Sequence, residues 1–224
     1  MATDHGLLRY NPTMLKLYYS PNACSLAPHI ALAEAGAEFE AVRLDFKSGE
    51  QRSERYLAIN PKGRVPALET PQGVLTENPV ILGWIAQSFP AAQLKPDGDF
   101  FAFSKMQEFN LYLAATVHVA FAHLFRAERW ADSAEAIAEI KAKVPASLGP
   151  LLKLIEDRLA DGRPWVMGEQ FTVADPYLYV FARWLERDGV GGSARFPKMV
   201  AHRDRMQARP AVLKVLAAEA IAQV

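Results

Sequence analysis

Cysteine is almost absent from the sequence: Cys24 is the only one among 224 residues. A disulfide within the chain is therefore excluded, and such a chain suits a reducing compartment. The first residues also lack the apolar run of a secretory signal. We therefore expect a cytoplasmic protein in which any thiol chemistry depends on Cys24.

The sequence also lacks an excess of charge and a long apolar run. The 25 lysine and arginine residues balance the 25 aspartate and glutamate residues, so no basic field is available to hold a phosphate backbone. Charged or turn residues interrupt every apolar stretch well short of the roughly 18 residues that a membrane helix needs. We expect neither nucleic acid nor a membrane as a partner. Half of the residues are apolar, which is ample for a sizeable buried core.

The first half of the chain alternates strand patterns with helix patterns. The strand patterns cover residues 14–19, 38–45, 65–69 and 74–76. One helix is predicted from Leu26 to a stop at Gly36, and another begins at Asn78. A βαβ unit, followed by a hairpin and a helix, favours a small α/β domain.

The second half has helical patterns throughout, beginning with one long segment from Phe101 to Trp130. A stretch rich in proline, alanine and polar residues separates the two halves. The predicted division is an N-terminal extension (1–13), an α/β domain (14–89), a linker (90–99) and an all-helical domain (100–224).

A capping box marks one helix start in the second half. In Thr172-Val173-Ala174-Asp175, we expect the Thr172 hydroxyl to accept from the amide of Asp175. The Asp175 carboxylate should in turn accept from the amide of Thr172. This feature concerns folding and not chemistry.

Cys24 lies between the first predicted strand and the first predicted helix. Open amides and the positive end of a helix dipole would favour its thiolate. A lone cysteine is more commonly a small buried apolar residue, but the strand-to-helix turn is where α/β folds place ligand sites. A thioredoxin-type pair needs a second cysteine three residues on, and that position holds Ala27. Any disulfide of Cys24 must therefore join a small molecule or another chain.

Two further segments could hold an extended peptide. Pro66 cannot donate to a sheet ladder, so the third strand is an edge or bends at a cis bond, although sequence alone favours trans. A bend would leave the Val65 amide and carbonyl free for a ligand. Glu77 and Asn78 begin a helix, where open amides bind a carboxylate and Glu77 can meet an ammonium group. Taken alone, the two residues more commonly serve as caps.

His118 lies in the long helical segment, near Phe121 and Phe125. A lone helical histidine is more often a satisfied core residue than a catalyst. The five histidines show no metal-ligand spacing, so no metal site is predicted.

Five segments of the chain point together to one family. They are LKLYYSPNACSLAPHI (15–30), LAINPKGRVPAL (57–68), LTE (75–77), FTVAD (171–175) and RP (209–210). In combination they resemble the bacterial beta-class glutathione transferases, over nearly the whole chain from Met14. The resemblance implies a thioredoxin-like N-terminal domain followed by a helical-bundle C-terminal domain. It also implies glutathione as co-substrate and a homodimer with the active site near the interface.

The resemblance also implies roles for the catalytic candidates. By matching position, Cys24 is the site cysteine, able to form a mixed disulfide with glutathione, and His118 is the site histidine of the first C-domain helix. Around that histidine the family has an Asn, a Ser or Thr, and a Lys, where this chain has Leu111, Ala115 and Val119. A more apolar helical wall is therefore expected.

The resemblance assigns the remaining candidates to glutathione binding. Val65, before a cis Pro66, would pair with the cysteinyl backbone of the ligand. Glu77 and Asn78 would hold its γ-glutamyl end, although Asn78 departs from the Gly or Ser usual there. Lys47 approximately matches a lysine after the second strand.

The leading interpretation is a glutathione transferase that joins glutathione to a small hydrophobic electrophile. Glutathione-dependent disulfide reductase or peroxidase activity through Cys24 is a second activity of the same site. A specialised isomerase or dehalogenase that uses glutathione is another enzyme interpretation. The alternative from a different class is a non-catalytic protein of the same fold that binds apolar ligands or partners.

Overall fold

The protein is described here by a computed structural model over residues 14–187, 190 and 192–224. The predicted extension, residues 1–13, lies outside the described residues. In the described part, one mixed sheet contains β1 (Leu15–Tyr19), β2 (Phe39–Arg43), β3 (Ala67–Thr70) and β4 (Gly73–Thr76). The strand order is β2-β1-β3-β4, with β1 parallel to β2 and the other neighbours antiparallel. This is the thioredoxin-like arrangement that the resemblance implied.

The helices of the first half are α1 (Leu26–Glu34), α2 (Glu54–Leu57) and α3 (Asn78–Ser88). Leu26 and Ile30 of α1 are fully buried, because α1 packs on β1 and also against two helices of the second half, Ala174–Trp184 and Pro210–Ala218. Gly36 follows α1 with a positive φ of 64°, a conformation that glycine adopts without steric cost. The predicted stop of this helix is confirmed.

The second half is helical, as predicted. Its helices are α4 (Phe100–Tyr112), α5 (His118–Phe125), α6 (Ala134–Arg158), α7 (Ala174–Trp184), α8 (Pro197–Gln207) and α9 (Pro210–Ala218). Every residue of α7 is buried, so this helix forms the centre of the bundle. Within the described ranges, no helix is both long and apolar enough to cross a membrane.

The long segment predicted from Phe101 to Trp130 is not one regular helix. A π-helical segment, Leu113–Val117, joins α4 to α5. Such wider turns occur frequently at functional sites, and this one directly precedes His118. It also rotates the side chains that follow it relative to a regular helix, so the spacing from Leu111 onward no longer identifies one face.

One of the two hydrogen bonds predicted for the capping box is present. The amide of Thr172 donates to Asp175 Oδ2 over 2.8 Å, but the Asp175 amide donates to the Thr172 carbonyl and not to its hydroxyl. That hydroxyl instead accepts from the amide of Ala174. Asp175 Oδ1 accepts from the amide of Val166 over 2.8 Å and lies 3.0 Å from His202 Nε2. The buried carboxylate therefore joins α7 to α8 and to the preceding loop, a role beyond that of a cap.

Candidate functional site

A cleft of about 990 Å³ lies between the sheet half and the helical half. It is formed by the loops after β1 and β2, the segment before β3, and helices α3, α5 and α7. The structure brings all six predicted site residues to it, namely Cys24, Lys47, Val65, Glu77, Asn78 and His118. Of the three apolar replacements on the helical wall, only Val119 is among the residues lining the cleft; Leu111 is 56% exposed elsewhere on the surface. Of the three replacements, only Val119 therefore contributes to the apolar wall that the sequence predicted.

The loop that carries Cys24 is held by the far end of the chain. Asn22 takes a positive φ of 56°, which asparagine tolerates better than most residues. The amide of Asn22 donates to Glu219 Oε2 over 3.0 Å. The same buried carboxylate lies 2.8 Å from His29 Nδ1, and Trp184 Nε1 donates to the Asn22 carbonyl. Glu219 thus holds the Cys24 loop in place through Asn22 and His29. Nothing in the sequence around Glu219 indicated these contacts.

The thiol of Cys24 is protonated at neutral pH. Burial raises its pKa to about 11, and the negative charge of Glu77 acts in the same direction. The contact with Asn78 and the positive charge of Arg64 act in the opposite direction and are outweighed. The expectation that a helix start would favour the thiolate is therefore wrong. Helix α1 begins only at Leu26, and loss of hydration dominates at a partly buried sulfur.

The Cys24 thiol is directed at the segment before β3. Its sulfur donates to the Val65 carbonyl oxygen over 3.4 Å. The Val65-Pro66 bond is cis, which confirms the resemblance and not the trans preference of sequence alone. Among the described residues, the Val65 amide has no hydrogen-bond partner. Tyr56 Oη and Asn60 Nδ2 both donate to the neighbouring Arg64 carbonyl and so fix this segment.

The start of α3 has an unusual backbone. Glu77 has φ 70° and ψ 123°, values that cost a residue with a side chain on the order of 1–3 kcal/mol and often occur at binding sites. Its carboxylate is largely exposed and forms an ion pair with Lys62. Asn78 is buried, and its Nδ2 donates to the Cys24 carbonyl over 3.1 Å. Its Oδ1 is buried without a partner among the described residues.

His118 is a neutral imidazole at physiological pH. Burial lowers its pKa to about 4, and the positive charges of Arg64, Arg129 and Arg126 contribute in the same direction. Its ring lies 5.8 Å from the ring of Phe181 and 5.5 Å from that of Trp184, centroid to centroid. It can orient a ligand by a hydrogen bond but supplies no positive charge.

The site also contains Tyr177, which sequence reasoning missed. Tyr177 of α7 is 1% exposed and lines the cleft. Burial raises the pKa of its hydroxyl well above the usual value, and the neighbouring Cys24 acts in the same direction. This phenol therefore remains a hydrogen-bond donor beside the cysteine. The apolar pattern of α7 marks position 177 as core, so no sequence signal separated it from its neighbours.

Comparison with known proteins agrees with this geometry. Residues 13–87 match the family model for the glutathione S-transferase N-terminal domain, and residues 134–218 match that for the C-terminal domain. Glutathione S-transferase GstA of Escherichia coli O157:H7 is 37% identical over 214 residues, which cover 92% of this chain and 100% of the relative.

Solved structures show the same likeness. A glutathione transferase homologue from Sulfitobacter, crystallised with bound glutathione, is 40% identical with a TM-score of 0.84, over 92% of this chain and 98% of that one. The bacterial beta-class glutathione S-transferase of Sphingomonas chungbukensis is 37% identical with a TM-score of 0.78, over 92% and 100%. The sequence and the fold of both halves therefore match those of known glutathione S-transferases. The chain belongs to the glutathione S-transferase family.

Proposed function

We propose that the protein is a glutathione transferase, which binds glutathione with its sulfur beside Cys24 and joins it to an electrophile in the same cleft. The observation that carries the proposal is the convergence of Val65, Glu77–Asn78, Cys24 and His118 on one cleft. Its volume of about 990 Å³ accommodates a tripeptide and a second small molecule.

The placement of glutathione follows from the groups that are open to a ligand. The Val65 amide and carbonyl meet the cysteinyl backbone in the manner of an added strand. Glu77 meets the ammonium group of the γ-glutamyl residue, while the helix start at Asn78 meets its carboxylate. Lys47 meets the carboxylate at the other end.

In the reaction, the sulfur of glutathione forms a bond to the electrophilic carbon, and the leaving group departs with its electron pair. The glutathione thiol loses its proton to solvent. The Cys24 thiol and the Tyr177 hydroxyl are protonated donors that stabilise the developing thiolate, and Arg64 adds positive charge nearby. Neutral His118 orients the bound molecules.

An assay of 1-chloro-2,4-dinitrobenzene with and without glutathione tests this function. Conversion that requires glutathione supports the transferase. Tight binding of apolar dyes without any conversion, for this and other electrophiles, would favour the non-catalytic alternative. Disulfide chemistry at Cys24 is the second candidate, favoured by the access of its sulfur to the cleft. With balanced charge and one cysteine, the cytoplasm remains the expected compartment.

Replacing Glu77 by alanine should weaken glutathione binding more than tenfold, on the scale of about 1.5–3 kcal/mol for a charge-assisted hydrogen bond. Titration calorimetry at millimolar glutathione measures this. Glu139→Ala, at an exposed glutamate of α6 away from the cleft, is the matched control and should bind normally. Unchanged binding in Glu77→Ala would exclude this placement of the γ-glutamyl end.

A homodimer is the expected assembly. Helices α3 and α4 pack against each other and expose Val80, Phe100, Phe101 and Leu111 by 51%, 81%, 70% and 56%. Such a group of large apolar side chains is typical of an interface, and a second copy of the chain is the occupant that the family resemblance implies.

Light scattering should therefore give a mass of about twice 24.8 kDa. Phe101→Glu should shift the protein toward monomers, because it places a charge in that face. Leu154→Glu, at an exposed leucine of α6, serves as control and should leave the mass unchanged. A wild-type mass near 24.8 kDa at micromolar concentration would contradict the dimer.

A further inference from the structure

The cleft has a positive charge that the composition of the chain does not explain. The whole chain has 25 basic and 25 acidic residues. Eight arginine and lysine side chains nevertheless line the cleft, against the two carboxylates of Asp45 and Glu77. Like charges gathered in one cleft give it a positive potential, which attracts a ligand of opposite charge.

Four of these cations lie close together and come from both halves of the fold. Arg52 and Arg64 belong to the sheet half, and Arg126 and Arg129 follow α5. After burial, the positive charges of Arg64 and Arg126, and to a smaller extent that of Arg52, lower the pKa of Arg129, while the negative charge of Glu128 acts in the opposite direction. In the part of the chain that the structure describes, none of the four forms an ion pair with a carboxylate, whereas Lys62 at the cleft edge pairs with Glu77.

An aromatic ring lies beside one of these guanidinium groups, and further rings line the same cleft. The guanidinium carbon of Arg126 lies 5.8 Å from the ring centroid of Phe46. Trp130 lines the cleft and stacks on His123 at a centroid distance of 4.1 Å. Phe125 is also part of the lining. A flat apolar body can therefore pack against rings while an attached anion meets the arginines.

Glutathione alone does not account for the surplus charge. At neutral pH it carries two carboxylates and one ammonium group, a single net negative charge. In the placement proposed above, Glu77 takes the ammonium group, and Lys47 and the start of α3 take the carboxylates. The arginine cluster formed by Arg52, Arg64, Arg126 and Arg129 then still has no carboxylate of glutathione to pair with, next to His118 and on the electrophile side of the cleft.

We propose that the second substrate is a flat apolar electrophile bearing a carboxylate or sulfonate group, which Arg64, Arg126 and Arg129 bind. The proposal rests on the transferase function and refines the hydrophobic electrophile expected from the sequence. A planar guanidinium pairs with such an anion through two parallel hydrogen bonds.

Two matched electrophiles test the proposal. 1-Chloro-2,4-dinitrobenzene is neutral, and 4-chloro-3,5-dinitrobenzoate carries a carboxylate; in both, sulfur replaces chloride on an activated ring carbon. The measured quantity is the ratio of kcat/KM for the anionic compound to that for the neutral one. We expect Arg126→Gln/Arg129→Gln to lower this ratio about tenfold or more, and Arg64→Gln to lower it several-fold.

Arg55→Gln is the control, since Arg55 is an exposed arginine close in sequence but outside the cleft lining. It removes one positive charge, as Arg64→Gln does, and should leave the ratio unchanged. Raising the ionic strength should lower the ratio of the wild type, because salt screens the attraction. An equal loss for both electrophiles, accompanied by a higher KM for glutathione, would mean that the arginines bind glutathione itself and would overturn the proposal.

Dye binding tests the same cluster without catalysis. 8-Anilinonaphthalene-1-sulfonate is anionic, and N-phenyl-1-naphthylamine is its neutral analogue. The double variant should lose about tenfold in affinity for the sulfonate relative to the neutral dye. If the wild type converts neither these two nor other electrophiles, the proposed function fails, but this dye ratio still decides whether the arginine cluster selects an anion. An unchanged dye ratio in the double variant would overturn it.

Discussion

Replacing Cys24 by serine is expected to remove glutathione-dependent disulfide exchange almost completely, by about a hundredfold or more, while conjugation persists. Disulfide exchange requires a sulfur that forms a mixed disulfide with glutathione, and serine offers none. Conjugation instead uses the sulfur of glutathione. The serine hydroxyl keeps a donor at the place where the Cys24 thiol now meets the Val65 carbonyl.

The pH dependence of disulfide exchange gives a second test of the role of Cys24. With a pKa of about 11, only about one Cys24 in ten thousand is a thiolate at pH 7. Exchange through Cys24 should therefore rise about tenfold for each pH unit between pH 7 and pH 10. Paired assays of hydroxyethyl disulfide reduction and of 1-chloro-2,4-dinitrobenzene conjugation, on wild type and Cys24→Ser, measure both effects.

His118→Ala is the comparison for a residue that orients and does not attack. It should depress both reactions modestly, because a neutral imidazole with a lowered pKa contributes a hydrogen bond and no charge. If Cys24→Ser abolished conjugation and spared disulfide reduction, it would be wrong to assign disulfide exchange to the Cys24 sulfur and conjugation to the glutathione sulfur.

Replacing Asp175 by alanine is expected to destabilise the fold by about 3–5 kcal/mol, the usual cost of removing one member of a buried charged network. The change would leave the buried amides of Val166 and Thr172 without their acceptor and His202 without its partner. Urea unfolding followed by circular dichroism measures the loss.

Two further variants provide smaller expected losses of stability for comparison with Asp175→Ala. Thr172→Ala removes only the hydroxyl contacts of the same cap and should cost about 0.5–2 kcal/mol, with activity at low temperature retained. Asp157→Ala removes an exposed carboxylate that pairs with Lys153 and should cost less than about 1 kcal/mol. An Asp175→Ala variant no less stable than Thr172→Ala would show that the carboxylate acts only as a cap.

The order of strands and helices was predictable because its signals are local. Turn residues such as Gly36 and the alternation of apolar positions require no knowledge of distant contacts. The six candidate site residues were found mainly through the family resemblance, and the fold brings them to one cleft. Taken one at a time, the sequence patterns around these residues also fitted purely structural roles, such as a buried cysteine, a helix cap or a core histidine.

What could not be predicted depends on contacts between distant segments. The raised pKa of Cys24 follows from burial by the segment around Val65 and by α7, and no local pattern reports that burial. The hydroxyl of Tyr177 faces the site only because of how α7 packs. The π-helical turn before His118 likewise has no simple spacing signature, and it changes which positions reach the cleft.

The contact of Glu219 with Asn22 and His29 has a consequence for how the two halves can be separated. A fragment that ended at the linker would keep the sheet and α1, but it would lose the carboxylate that fixes the Cys24 loop. It would also expose the apolar face of α1 that now packs against α7 and α9. We therefore expect the halves to unfold as one cooperative unit, although they have distinct architectures. Chimaeras that exchange the second half between relatives must therefore keep a carboxylate at the position of Glu219 to hold the Cys24 loop.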